Sequence, residues 1–102
     1  MNAKIYNESL KTLIEIIKSV LNEKGITVFL FGSRATGKAK ENSDIDIGII
    51  STSKDISKLI SYLRERIENS NIPYKVDILD LSLTSEEFRQ KVLKEAKVIW
   101  KS

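Results

Sequence analysis

The sequence contains no cysteine and no histidine. Those two absences remove zinc sites, thiol nucleophiles and histidine-based triads, and leave carboxylates, hydroxyls, lysine, arginine and hard cations such as magnesium as the available chemistry. Proline occurs once, at Pro73, and glycine only at Gly25, Gly32, Gly37 and Gly48, so each of these breakers marks a place in the chain. No apolar run approaches the roughly 20 residues that span a bilayer, so no membrane-crossing helix is expected. Charge of one sign is not in excess. The 17 basic and 14 acidic side chains leave a net charge of +3, and they are interspersed instead of forming a basic stripe, which argues against nucleic acid as a partner. The start, "MNAKIYNESLKTLIEII", lacks the basic-then-apolar layout of a signal peptide, and with zero cysteines this leads us to expect a cytoplasmic protein.

What is present fits one domain over residues 1–102, with 41% apolar and 30% charged residues and a single core burying roughly 60–70% of the unfolded surface. Leu10, Leu13, Ile14, Ile17, Val20 and Leu21 recur at helical spacing after Asn7 as a candidate N-cap, with Gly25 as the stop. "ITVFLF", Ile26 to Phe31, reads as a strand buried on both faces and ended by Gly32. "DIDIGII", Asp44 to Ile50, is a second strand, and Ile56, Leu59, Ile60, Leu63 and Ile67 outline a second helix. Asn69 to Asn71 and Pro73 break that helix before a third strand, "YKVDILDL", Tyr74 to Leu81. Thr84 and Glu87 form a capping box for a last helix running to about Ala96, with Phe88, Val92 and Ala96 on its inner face; the tail "VIW" is a candidate edge strand. The order gives an α/β fold: a small mixed β-sheet with helices packed on one face.

The stretch "FLFGSRATGKAKENSDIDIGII" is where packing alone does not explain the residues. Strict alternation puts Asp44, Asp46 and Gly48 on one strand face and Ile45, Ile47 and Ile49 on the other, so the two carboxylates point the same way. Gly32 and Ser33 close the preceding strand, and Ser33 can cap a helical turn from Arg34 onward, aiming backbone N–H groups at an anion. An anion cradle beside paired carboxylates describes a metal-bound polyphosphate. Each half has an ordinary reading: a Gly-Ser turn is usually only a turn, and an Asp-x-Asp strand start is usually a solvated edge. Tyr62, Tyr74 and Trp100 read as packing residues, and Lys38 and Lys40 as loop solubilisers.

"GSRATG" followed by "SDIDIGI" resembles the Gly-Ser plus Asp-x-Asp signature of the polymerase β-like nucleotidyltransferase superfamily, and the size is similar to its minimal nucleotidyltransferase branch. The resemblance covers most of the chain and implies that Gly32 and Ser33 hold a nucleoside triphosphate with help from Arg34. It implies that Asp44 and Asp46 bind magnesium, two ions in all, and that Asp77 of "KVDIL" is the third metal-binding and catalytic acid. Asp80, three residues on, is the competitor for that role, because a one-residue strand slip exchanges the acids. Thr36 departs from relatives that carry a second arginine there. The resemblance further implies transfer of AMP from ATP to a hydroxyl, and a helical HEPN-domain toxin as partner, with a toxin tyrosine as acceptor. The alternative is a binding module that neutralises or scaffolds such a partner without catalysis.

Overall fold

The computed structural model describes residues 2–52 and 55–102. It opens with helix α1 (Asn2–Val20), whose Leu13, Ile17 and Val20 are buried along one stripe. The helix begins at Asn2 and not after Asn7. Ala3 and Lys4 are good helix formers and Tyr6 packs against the core, which together outweigh a cap signal worth about 1 kcal/mol. Gly25, at φ 83°, turns the chain into β1 (Ile26–Phe31).

Four strands form one mixed sheet in the order β3-β2-β1-β4. β2 (Ile45–Ser51) runs antiparallel to β1 and parallel to β3 (Val76–Asp80); β4 (Lys97–Lys101) pairs antiparallel with β1, as the apolar tail suggests. Ile26, Val28, Leu30, Ile45, Ile47 and Ile49 form one core with α1 and with α3 (Ser57–Glu68), which contributes Ile60, Leu63 and Ile67. β1 differs from the expected two-sided burial. Its residues alternate between buried and half-buried, because only the face toward α1 and α3 is sealed. At the free edge of β3, Arg64 of α3 donates through Nη2 to the Ile78 carbonyl at 2.8 Å.

The last helix, α4 (Glu86–Leu93), corrects the sequence reading in three ways. Its cap is Ser85, whose hydroxyl accepts from the Phe88 N–H at 3.2 Å, while the Thr84 hydroxyl donates back to the Leu81 carbonyl at 2.8 Å. It ends before Ala96, which leads into β4. It buries no residue, Phe88 being 43% exposed, and is tethered instead by Arg89, which donates to the Leu81 and Thr84 carbonyls. Tyr62 is likewise exposed, with Arg66 over its ring, and not a packing residue.

On the sheet face away from α1 and α3, Gly48 makes room for Leu81 of a 3-10 turn (Leu81–Leu83). A Cβ on Gly48 would stand 2.6 Å from Leu81 Cδ1, and Leu81 is fully buried and has nowhere to move. Gly48→Ala should therefore destabilise the fold by about 1–3 kcal/mol despite the better strand propensity of alanine. Urea denaturation checks it: the Gly48→Ala, Leu81→Val double variant should recover part of the loss, and an unchanged midpoint for Gly48→Ala would refute the close contact.

Candidate active site

Directly after β1 the chain makes a tight turn that only glycine allows. Gly32 sits at φ 72°, and a Cβ there would collide with Asp46 Oδ2 and lie 3.2 Å from its Cγ, so the Gly32 backbone rests against the Asp46 carboxylate. The Gly32 carbonyl accepts from the Ala35 and Thr36 N–H groups at 3.0 and 3.2 Å, forming the one-turn helix α2 (Ser33–Thr36), which Gly37 closes at φ 78°. Gly32 thus holds the cap position expected for Ser33. Ser33 becomes the first helical residue, and its side chain makes no hydrogen bond among the described residues. The N–H groups of Ser33 and Arg34 fall outside the intrahelical ladder and remain available to an anion.

The acids arrive from two strands. Asp44 immediately precedes β2, and Asp46 lies in it opposite Phe31 of β1 and beside Asp77 of β3. Register pairs Asp46 with Asp77 in a parallel ladder, which puts both on one face, whereas Asp80 pairs with Ile49 and so falls on the other. The Asp80 carboxylate is engaged elsewhere, accepting from the Ser82 N–H at 3.0 Å and capping the 3-10 turn. Lys75, which alternation places on the face of Asp77, holds its Nζ 3.9 Å from Asp77 Oδ1. Its position two residues before Asp77 was the one signal in the sequence that could have brought it to notice.

Burial pushes the Asp46 carboxyl above the usual carboxylate range, and the negative charges of Asp77 and Asp44 push it further, partly offset by Lys75. Among the described residues no three acids stand close enough to form a ready-made metal cage. Asp44 and Asp77 nevertheless repel Asp46, and hard carboxylate oxygens are the donor type that suits a magnesium ion, which would relieve that repulsion. A cleft of about 420 Å³ beside Asp44 is bordered by Glu41, Asn42, Tyr74 and Lys75. A second groove of about 390 Å³, between α3 and the β3 edge, carries none of the three aspartates.

Arg34 is not brought to the carboxylates. Its guanidinium lies over the ring of Tyr6 at 4.4 Å and that of Tyr74 at 4.9 Å, and Nη2 donates to the carbonyls of Ser43 at 2.9 Å and Glu41 at 3.3 Å. The flat cation thus lies against both rings while a single terminal nitrogen serves both loop carbonyls. Tyr6 carried no signal in the sequence, since its partners are remote along the chain.

Because the folded chain holds the Asp46 proton more tightly than the unfolded chain does, this group favours the fold most at acid pH. That contribution is lost as pH rises from the usual carboxylate range toward the raised folded value. Asp46→Asn should therefore melt at a higher temperature than wild type at pH 7, and the difference should shrink toward zero by about pH 3. A variant less stable than wild type at pH 7 and equal to it at pH 3 would reverse the assigned sign.

Known proteins share this arrangement of strands and turn. The family described as polymerase beta nucleotidyltransferase matches residues 11–102. A Haemophilus influenzae protein named as a probable protein adenylyltransferase, MntA, is 40% identical over 88 residues, covering 84% of this chain and 77% of its own length. A crystal structure described as a toxin-antitoxin with AMP-PNP superimposes with a TM-score of 0.69 at 26% identity, over 90% of this chain and 73% of that one. A solved minimal nucleotidyltransferase shares the fold with a TM-score of 0.70 at 23% identity, over 95% of both chains. The chain is a member of the polymerase beta nucleotidyltransferase family.

Proposed function

We propose that this chain, acting as a single minimal domain in the cytoplasm, transfers AMP from ATP to a tyrosine hydroxyl of a HEPN-type partner protein and serves as its antitoxin. The observation that carries the reading is the Gly32 backbone seated on the Asp46 carboxylate, with Asp77 beside it in register. The relative named as a protein adenylyltransferase and the toxin-antitoxin structure with AMP-PNP support the choice of nucleotide and partner.

In this reading the N–H groups after Gly32, with the Ser33 hydroxyl, bind the triphosphate and orient its α-phosphorus toward the carboxylates. Asp44, Asp46 and Asp77 would hold magnesium, which when bound neutralises the phosphates and stabilises the attacking and leaving oxygens. Asp77, more open than Asp46, takes the acceptor's proton. The acceptor oxygen forms the new bond to the α-phosphorus, the bond from that phosphorus to the β-phosphate oxygen breaks, and pyrophosphate leaves. Few residues are needed because this chemistry depends mainly on positioning and charge neutralisation.

Three substitutions test the site. Gly32→Ala should abolish magnesium-ATP binding in a folded protein, because its Cβ enters the space of the Asp46 carboxylate. Asp77→Asn should leave that binding largely in place and slow transfer by about 10²–10⁴-fold, whereas Asp80→Asn should retain activity and lose only the turn cap. Calorimetry and label transfer from α-labelled ATP check both, and transfer lost with Asp80 but kept without Asp77 would refute the assignment.

The second test concerns the partner. Wild-type protein with magnesium and ATP should add the mass of AMP to the HEPN partner, and the Asp44→Asn, Asp46→Asn double variant should not. Equal neutralisation of the partner by that variant, without a mass gain on either chain, would replace the transferase reading with a binding module.

A further inference from the structure

We propose that Arg34, seated in the corner formed by the rings of Tyr6 and Tyr74, is the positioning residue that fixes the two acid-bearing segments of the site relative to the Gly32 turn. The Arg34 backbone belongs to α2, one residue after Ser33, so the position of its side chain is tied to the position of the turn. Its Nη2 holds the Ser43 carbonyl at 2.9 Å, which is the peptide group leading directly into Asp44. The same group reaches the Glu41 carbonyl at 3.3 Å, tying down the loop between α2 and β2. The guanidinium also lies over the ring of Tyr74, at 4.9 Å, three residues before Asp77 on the entry to β3. Tyr6 of α1 also lies under the guanidinium, at 4.4 Å, and packs edge-on to Tyr74 with ring centroids 5.9 Å apart, so the two rings form a corner around the cation. One planar cation therefore joins the turn, the approach to Asp44, the approach to Asp77 and the helical layer.

The chemistry of the clamp favours geometry over stability as its product. Arg34 Nε and Tyr6 Oη are buried without a hydrogen-bond partner among the described residues. A buried donor left unpaired is destabilising, and an apolar side chain of similar length would fill the same volume without that cost. What an apolar chain cannot supply is a terminal amino group that donates to two carbonyls from a flat cation held against two rings. Lysine cannot supply it either, because its ammonium is a point charge without a plane. The residue acts on the carboxylates only through the peptide of Ser43 and the ring of Tyr74.

This inference rests on the acid site being the metal-nucleotide site. Its test uses two readouts besides activity, in the full-length chain: amide exchange at Ser43 and Ile45, whose N–H groups bond to the Lys40 and Lys75 carbonyls, and manganese affinity by electron paramagnetic resonance. Arg34→Lys and Arg34→Met should each weaken manganese binding about tenfold, the usual scale for residues that orient metal ligands, and should speed exchange at both amides. The melting temperature of Arg34→Met should stay level or rise. Tyr74→Phe, which keeps the ring, should behave as wild type, and Tyr74→Leu should follow the Arg34 variants. Wild-type exchange and manganese affinity in Arg34→Lys would overturn the clamp, as would variants that lose only magnesium-ATP affinity, the signature of direct phosphate contact. If Arg34→Met fails to fold, Arg34→Lys with its retained charge carries the decision. A wild-type protein that binds manganese in an Arg34-dependent way but transfers no label would overturn the proposed transferase and leave the clamp standing.

Discussion

The meeting of the Gly32 backbone with the Asp46 carboxylate is the contact on which the rest of the site depends. A strand end, a left-handed glycine and a half-buried acid have to coincide within one side chain's reach, and each is set by a different part of the chain. β1 delivers Gly32, the β1-β2 register delivers Asp46 opposite Phe31, and the parallel β2-β3 ladder brings Asp77 alongside. The acid is thereby held in a place where it resists ionisation. The hydrophobic core opposes this cost: Ile45, Ile47 and Ile49 are fully buried on the other face of the same strand, so the aspartates cannot turn away without exposing the isoleucines.

That same alternation explains how much of the site could be read from the sequence. Asp44 and Asp46 share a face because they are two residues apart, and Gly32 and Ser33 adjoin a β-rich run, so both features are local. The choice of Asp77 over Asp80 as the acid beside Asp46 is a matter of register between β2 and β3, which no local pattern contains. The surroundings of Arg34 were not legible for a similar reason. Its place next to Ser33 is local, whereas its partners Tyr6, Ser43 and Tyr74 come together only in the folded chain.

The fold was legible to the same extent. Periodicity identified every long helix and the strands β1, β2 and β3, and it failed at ends, where packing competes with weak local signals. α1 extends to Asn2 because Tyr6 has a surface to pack on, while α4 takes Ser85 instead of Thr84 as its cap because two adjacent hydroxyls offer the same chemistry. The expectation that Phe88 and Val92 face a core assumed that α4 lies on the sheet; Arg89 holds it by the carbonyls of the preceding turn instead.

The hydrogen bond from Arg64 to the Ile78 carbonyl has a consequence for association between molecules. β3 is the outer strand of an open sheet, and an outer strand with free backbone groups is a template for pairing with another chain. Arg64 occupies one of those groups and sets a charged side chain across the edge, as Lys97 and Lys101 set charges along β4 at the opposite end. Edge-to-edge stacking of sheets is disfavoured at both ends. The strand that carries Asp77 is thereby kept single, and self-assembly into fibrils would have to begin by displacing Arg64.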